Sequence, residues 1–231
     1  FNSGNLLDLW NFNSTKFAID YAGGVHTQSG LSFDSINNKP TANLIAATDP
    51  LGAGGTGAWT TVTSLPVIHK GSDLTSYNGY VFITGGSTGT VLSTAYSAKV
   101  NADGTIGAWI ALTNLPTVRR NHKIVAYNGY LFLTGGNSDG TNQLSTAYSA
   151  KINSDGTIAA SWTAVTSLPQ TLGYHQILGH NGYLFITGGL TGSVTRVSKV
   201  YSAPVLSDGL LGAWATLTDL PTTIRSQHKS F

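Results

Sequence analysis

The chain repeats one pattern of apolar and polar positions three times. Each copy turns at Asn-Gly, continues as an apolar run into Gly-Gly, turns again at Asp-Gly and ends after a Trp at Leu-Pro. The copies run from Tyr77 to Pro116, from Tyr127 to Pro169 and from His180 to Pro221. The tryptophans Trp59, Trp109, Trp162 and Trp214 follow one another at intervals of 50, 53 and 52 residues. A period near 50 residues is typical of a radial or solenoid array.

The second copy predicts four antiparallel strands. Residues 122–127 are apolar and β-branched, and the Asn-Gly pair that follows is typical of a type I′ hairpin turn. Residues 130–134 form a continuous apolar run, which predicts a strand buried on both faces. Gly135-Gly136 ends that strand where a side chain would collide with a neighbouring sheet. Residues 145–152 and 162–166 alternate in polarity and predict two half-buried strands.

Four strands per period make one propeller blade. The predicted fold is therefore all-β, a β-propeller of about four blades, each a four-stranded antiparallel sheet. Blades are expected at about 17–65, 72–116, 122–169 and 175–221, with a terminal strand at 225–231 and an N-terminal cap or linker at 1–16. The first blade is degenerate, with strands expected at 17–24, 42–48 and 59–65.

The first strand of a blade is separated from the other three at the two ends of the sequence. Residues 17–65 match the last three strands of a blade, and residues 225–231 match a first strand. Two arrangements follow, since propellers hide their sheet edges by closing the ring. The terminal strand can complete the N-terminal blade and close a ring of four. Alternatively, the chain is part of a larger ring, or passes its terminal strand to a neighbouring subunit.

Composition favours an extracellular or cell-surface protein. Charged residues make up 10% of the chain, against about 25% in typical soluble proteins, so hydroxyl and amide groups must supply most of the surface polarity. The chain has no cysteine, which excludes disulfides and thiolate metal sites. It also has no methionine, which is typical of a processed form or of a fragment.

Nucleic acids and the bilayer interior are not expected partners. The formal net charge of +2 is small, and Arg119-Arg120 is the only pair of adjacent Lys or Arg residues. No apolar run approaches the roughly 20 residues of a membrane-spanning helix.

The recurring glycines and aromatic residues resemble the kelch and galactose-oxidase-like propeller repeat, in its extracellular bacterial type. The matching sets are Gly85-Gly86, Tyr96 and Trp109; Gly135-Gly136, Tyr148 and Trp162; and Gly188-Gly189, Tyr201 and Trp214. The interval from Tyr to Trp is 13 or 14 residues, longer than the family pattern. The resemblance covers roughly residues 58 to 231 and implies a fold, with tyrosines and tryptophans between blades, more than it implies a function.

Variation among the copies indicates where a ligand would bind. The Asn-Gly and Asp-Gly turns recur almost unchanged, whereas the loops that follow each Leu-Pro differ. Variable loops of a repeat array usually form the binding face. The candidate ligand-binding residues on that face are Arg119, Arg120, His122, Tyr174, His175, Arg225 and His228. For the two histidines at one repeat position, His122 and His175, the resemblance favours a structural role.

Motifs for catalysis are absent from the sequence. It contains no phosphate-binding glycine loop, HExxH, GxSxG or EF-hand pattern, and the copper-radical chemistry of galactose oxidase requires a cysteine that the chain lacks. We therefore expect a non-enzymatic binding or assembly module that contacts protein or glycan and needs no metal or cofactor. In one form of this hypothesis, the protein is a surface or filament subunit. The alternative is an enzyme of sialidase or carbohydrate-oxidase type, with acids such as Asp8, Asp20 or Asp34.

Overall fold

The computed structural model describes four N-terminal strands by their backbone and describes residues 61–67, 69–192 and 195–221 with their side chains. The chain divides into two compact units, Phe1–Thr61 and Val62–Phe231. Sequence patterning instead places a boundary after residue 16. The two boundaries differ because the segment before residue 16 contributes a full strand to the sheet of the first unit.

The first unit contains one antiparallel sheet in sequential strand order. Its strands are β1 (Asn5–Asn11), β2 (Ser14–Asp20), β3 (Val25–Thr27) and β4 (Ser32–Phe33). β2 overlaps the strand expected at 17–24. The strand expected at 42–48 lies outside the described residues, and residues 61–65 of the strand expected at 59–65 are not in a strand.

The second unit contains three four-stranded antiparallel sheets. Sheet 1 consists of β5 (Asp73–Tyr77), β6 (Tyr80–Thr84), β7 (Ala95–Lys99) and β8 (Ile110–Ala111). Sheet 2 consists of β9 (Lys123–Tyr127), β10 (Tyr130–Thr134), β11 (Ala147–Lys151) and β12 (Thr163–Val165). Sheet 3 consists of β13 (Gln176–His180), β14 (Tyr183–Thr187), β17 (Val200–Pro204) and β18 (Ala215–Thr216). A short hairpin of β15 (Leu190–Thr191) and β16 (Thr195–Arg196) lies between β14 and β17.

These sheets confirm the predicted fold class. The first two strands of each sheet pair in direct register across their Asn-Gly turn, as in Tyr127 opposite Tyr130. The turn asparagines have positive φ values, 46° for Asn78, 49° for Asn128 and 47° for Asn181. A type I′ turn requires this conformation, and asparagine adopts it at little cost. Within the described residues, no helix is long and apolar enough to cross a membrane.

The three sheets meet along their first strands. β5 contacts β9, and β9 contacts β13, whereas the fourth strands are exposed. An inter-sheet ion pair joins the first strands, with Lys123 Nζ 2.8 Å from Asp73 Oδ1. The backbone N of Ile124 donates to Asp73 Oδ2 at 2.8 Å. Burial raises the pKa of Asp73 more strongly than the attraction of Lys123 lowers it.

The hydrophobic core lies between the sheets. Leu131 and Leu133 of β10 pack with Phe82 of β6 between sheets 1 and 2. Phe132, on the opposite side of β10, packs with Leu184 of β14 between sheets 2 and 3. All five side chains are fully buried. β10 is therefore buried on both faces, as its continuous apolar run predicts.

The repeat tryptophans connect the outer parts of neighbouring sheets. Trp162 Nε1 donates to the backbone O of Thr113 at 3.2 Å, and Trp214 Nε1 donates to the backbone O of Thr166 at 3.0 Å. In return, Thr166 Oγ1 donates to the backbone O of Leu211 at 2.6 Å. Each pair of neighbouring repeats is thus joined by a Thr–Trp contact between sheets. The tryptophans are half-buried.

Candidate functional site

Two sets of loops form one side of the second unit, which we call the loop face. One set precedes the first strand of each sheet, and the other joins the second strand to the third. Antiparallel bridges connect the two sets, pairing Lys70 with Ser87, Arg120 with Asn137 and Gly173 with Leu190. Lys70, Arg120 and Gly173 therefore occupy one repeat position.

The double glycines let the loops of adjacent sheets approach closely. Gly136 N donates to the backbone O of Leu172, in the next repeat, at 2.8 Å. A Cβ on Gly135 would collide with that same carbonyl oxygen and would lie 2.9 Å from His175 Cε1. The predicted collision with a neighbouring sheet is confirmed. Gly85 and Gly86 stand in the same relation to the backbone O of Arg119.

Arg119 is fully buried beneath the loop face. Its Nη1 donates to the backbone O of Gly135 at 2.9 Å, and its Nη2 donates to Thr117 Oγ1 at 2.7 Å and to Thr146 Oγ1 at 3.2 Å. The guanidinium carbon lies 5.2 Å from the centre of the Tyr148 ring, which is a cation–π contact. The side chain therefore links two loops and the third strand of sheet 2.

Arg119, one of the predicted ligand-binding residues, is charged but buried. Burial lowers the pKa of the guanidinium to about 10, so it remains charged at neutral pH. The hydrogen bonds of Nη1 and Nη2 and the aromatic ring compensate for part of the lost hydration, while Nε has no partner among the described residues. A fully buried cation held in this way stabilises the fold and presents no charge to a ligand.

His122 and His175 are also interior residues. His122 Nε2 lies 2.8 Å from Thr84 Oγ1 of the preceding sheet, and His175 Nε2 lies 2.9 Å from Thr134 Oγ1. Both rings are almost completely inaccessible to solvent. Burial lowers the pKa of His175 to about 3 and that of His122 well below its ordinary value. Both rings are therefore neutral at physiological pH and lie between two sheets, and His122 also lines a small pocket beside Tyr174.

Tyr174 remains at the surface in an uncommon backbone conformation. Its φ is +57°, and Asn121 at the same repeat position has φ +55°. Asn121 Nδ2 donates to Tyr174 Oη at 2.7 Å, and Tyr174 N donates to the backbone O of Asn121 at 2.9 Å. A tyrosine in the left-handed region is rare and is strained relative to glycine. The two residues line a small pocket of about 190 Å³ with Gly71 and Gln176.

Arg120 is the predicted residue that lines the larger pocket of the loop face. This pocket of about 560 Å³ lies between the first two repeats and is lined by Val67, Lys70, Ser87, Thr88, Gly89 and Arg120. Arg120 Nε donates to Asn137 Oδ1 at 3.2 Å, which orients the guanidinium. Ser87 Oγ accepts a hydrogen bond from Gly89 N at 3.1 Å, which orders the rim. We call this cavity the cationic pocket.

Sequence reasoning missed Lys70, Ser87 and Thr88. A signal for Lys70 was present, because it occupies the repeat position of Arg120 and lies in one of the variable loops. Ser87 and Thr88 carry no comparable signal, since serine and threonine are abundant throughout the chain. The other two predicted residues, Arg225 and His228, lie outside the described residues. Within the described part of the chain, no group of three or more His, Cys, Asp or Glu side chains could hold a metal ion.

No family model matches the chain, and no curated protein matches it. Among solved structures, the one titled "Structure of YjhT" is similar in fold, with a TM-score of 0.56 and 19% sequence identity. The match covers 71% of this chain and 56% of YjhT, so the chain spans little more than half the length of that protein. A likeness at this identity shows the fold alone, and the fold is a β-propeller.

Proposed function

We propose that this protein is a non-enzymatic β-propeller module of the cell exterior, of kelch type, that binds a glycan or protein ligand through its loop face. The cationic pocket carries the proposal, because Lys70 and Arg120 meet there on the variable loops. Concave pockets of about 300 to 1,000 Å³ with a few polar groups are typical ligand sites. The low content of charged residues supports the extracellular location.

The acidic residues support a non-enzymatic role. All ten are aspartates, and each of the six whose side chains are described has a hydrogen-bond or ion-pair partner. Asp103, Asp139, Asp155 and Asp208 accept hydrogen bonds from their own turns, Asp73 pairs with Lys123, and Asp219 pairs with Lys199. Acid–base catalysis by two carboxylates needs a facing pair. Each of these six carboxylates already has a hydrogen-bond or ion-pair partner.

Binding to glycan and protein panels tests this function. Arg120→Ala combined with Tyr174→Ala removes two accessible side chains of the loop face, and should abolish a binding signal that the unaltered protein shows. Lys99→Ala is the matched control, because Lys99 is exposed beside the hairpin turns at the opposite ends of the strands. Absence of any ligand across both panels, or equal loss in the control, would contradict the proposal.

A second candidate function is assembly through the outer face of sheet 3. Tyr183 is 44% exposed there. Its repeat equivalents Tyr80 and Tyr130 are covered by the next sheet, where they contact Gly156 and Gly209. Among the described residues, nothing lies within 4 Å of a Cβ built on Gly104, the corresponding turn glycine of sheet 1. The exposed tyrosine of one copy thus fits the vacant glycine turn of another.

Light scattering after size-exclusion chromatography tests assembly. Concentration-dependent association that Tyr183→Lys prevents would support it, since a lysine cannot pack flat on a glycine turn without burying its charge. Tyr174→Lys, on the loop face, is the control and should leave association unchanged. A compact monomer at all concentrations would exclude this role.

The enzyme alternative depends on acids of the first unit. Asp8 lies in β1 opposite Ala18, and Asp20 ends β2 opposite Asn5. Asp34 lies outside the described residues. Turnover of a sugar substrate that Asp8→Asn or Asp20→Asn abolishes would favour an enzyme over the binding module.

A further inference from the structure

The two cations of the cationic pocket have no partner for their terminal groups. Among the described residues, Lys70 Nζ makes no hydrogen bond or ion pair, and Arg120 bonds only through Nε. Lys70 is exposed and Arg120 is half-buried. Two cations without a partner for their terminal groups line the same cavity, so the site favours a bound anion.

Asp139 belongs to the loop that Arg120 contacts, but no ion pair joins the two side chains among the described residues. Asp139 lies in the same loop as Asn137, the partner of Arg120, but its Oδ1 accepts from the backbone N of Thr141 and of Asn142, both at 2.8 Å. Its Oδ2 accepts from Asn142 Nδ2 at 2.7 Å. These bonds hold the pKa of Asp139 well below its ordinary range. The carboxylate is thus satisfied by its own loop, and no acidic residue lines the pocket among the residues described.

The equivalent crevice between the second and third repeats lacks these features. Gly173 replaces the cation at the position of Lys70 and Arg120. The loop between β10 and β11 carries Asp139 where the first repeat has the uncharged sequence Ser87 to Thr90. The two cations are therefore specific to the first crevice and are not a general property of the repeat.

We propose that the cationic pocket binds the phosphate group of a small-molecule phosphate monoester, such as a sugar phosphate. A phosphate monoester carries about −1.5 to −2 charges at neutral pH, which matches Lys70 and Arg120 together. Arginine offers a planar fork of N–H donors and lysine a compact charge, a combination suited to phosphate oxygens. The hydroxyls of Ser87 and Thr88 line the same wall. This inference rests on the proposed binding role of the loop face and specifies its ligand.

Calorimetric titration with glucose 6-phosphate, glucose and inorganic phosphate tests the inference. We expect glucose 6-phosphate and inorganic phosphate to bind, glucose not to bind, and added salt to weaken binding. Lys70→Ser and Arg120→Gln should each weaken binding of glucose 6-phosphate by about 10- to 100-fold, as expected for the loss of one charge-assisted hydrogen bond. Lys99→Ser removes the same charge from the opposite side and should change the affinity less than twofold.

Several outcomes would overturn the inference. Equal binding of glucose and glucose 6-phosphate, no binding of either phosphate, or equal losses in Lys99→Ser and Lys70→Ser would each do so. Thermal unfolding of each variant establishes that it is folded. If Arg120→Ala with Tyr174→Ala abolishes binding of a panel ligand that carries no phosphate, the phosphate assignment fails and the loop-face function stands. If a phosphopeptide binds and glucose 6-phosphate does not, the ligand is a phosphorylated protein and not a small molecule.

Discussion

Thr134 and His175 belong to different sheets, and their side chains meet in a buried hydrogen bond of 2.9 Å between Oγ1 and Nε2. Thr84 and His122 repeat the contact one period earlier at 2.8 Å. The Nδ1 atoms of both histidines have no hydrogen-bond partner among the described residues. Each ring therefore stays buried only in its neutral form. Protonation at low pH should weaken these contacts between sheets.

The free energy of unfolding should fall as the pH falls below 6.5. Folding lowers the pKa of His175 from 6.5 to about 3, so the unfolded chain binds more protons between these values. Stability is fully present above pH 6.5 and decreases by about 1.4 kcal/mol per pH unit for each such histidine down to its folded pKa. Urea unfolding between pH 4 and 7.5 measures this slope.

His175→Gln should reduce that slope by removing one buried titrating ring. His180→Gln is the control, because His180 is an exposed histidine of β13. Identical slopes in His175→Gln and the unaltered protein would contradict a neutral His175.

Gly135→Ala should destabilise the protein more than Gly104→Ala. Both glycines have positive φ, +58° and +81°, so both alanines incur a left-handed backbone cost of about 1 to 2 kcal/mol. Only Gly135 faces the backbone O of Leu172, and nothing lies within 4 Å of a Cβ at Gly104. The collision should add about 1 to 3 kcal/mol. Chemical denaturation of the two variants measures the difference, and equal losses would show that the sheets separate at little cost.

Arg119→Ala should mainly lower the stability of the fold, whereas Arg120→Ala should mainly weaken ligand binding. Arg119→Ala removes a fully buried side chain with three hydrogen bonds and should cost about 2 to 4 kcal/mol of unfolding free energy. Arg120→Ala removes one hydrogen bond at a half-buried site and should cost about 1 kcal/mol or less. Denaturation and titration of both variants separate the two roles. Loss of ligand binding in a fully folded Arg119→Ala protein would restore Arg119 as a ligand contact.

Thr166→Val should weaken the contact between the outer parts of sheets 2 and 3. It keeps the shape of the side chain and removes the donor to the backbone O of Leu211, a bond of 2.6 Å. The expected cost is about 0.5 to 1.5 kcal/mol. Thr163→Val, at an exposed position in β12, should be nearly neutral or slightly stabilising, since valine suits a strand. A loss in Thr166→Val no greater than in Thr163→Val would contradict a stabilising contact.

The strands of the second unit could be predicted closely because their signals are local. The Asn-Gly turns, the apolar run of residues 130–134 and the alternation of residues 145–152 each act within a few residues, where backbone sterics and side-chain period decide the outcome. β10 (Tyr130–Thr134) coincides with its predicted strand, and β11 and β12 lie within theirs. The N-terminal unit was less predictable because it lacks these turns, and β1 lies where a cap or linker was expected.

The candidate site residues that the sequence pattern grouped together are separated in the structure into buried and accessible ones. Arg119 and Arg120 are adjacent and chemically identical, yet only Arg120 reaches the cationic pocket. Consecutive residues of an extended segment point to opposite sides, and the sequence does not say which side faces the next sheet. The burial of His122 and His175 could not be predicted from the sequence either. Their partners Thr84 and Thr134 lie 38 and 41 residues away along the chain.

The sequence by itself therefore determined the repeat, the order of strands and the loops that vary, because each of these depends on periodicity and on turn residues. Only the tertiary structure decided which of the variable side chains are buried between sheets and which are accessible. That choice depends on contacts between repeats about 50 residues apart, such as the close approach of Gly135 to the backbone O of Leu172 and the ring of His175.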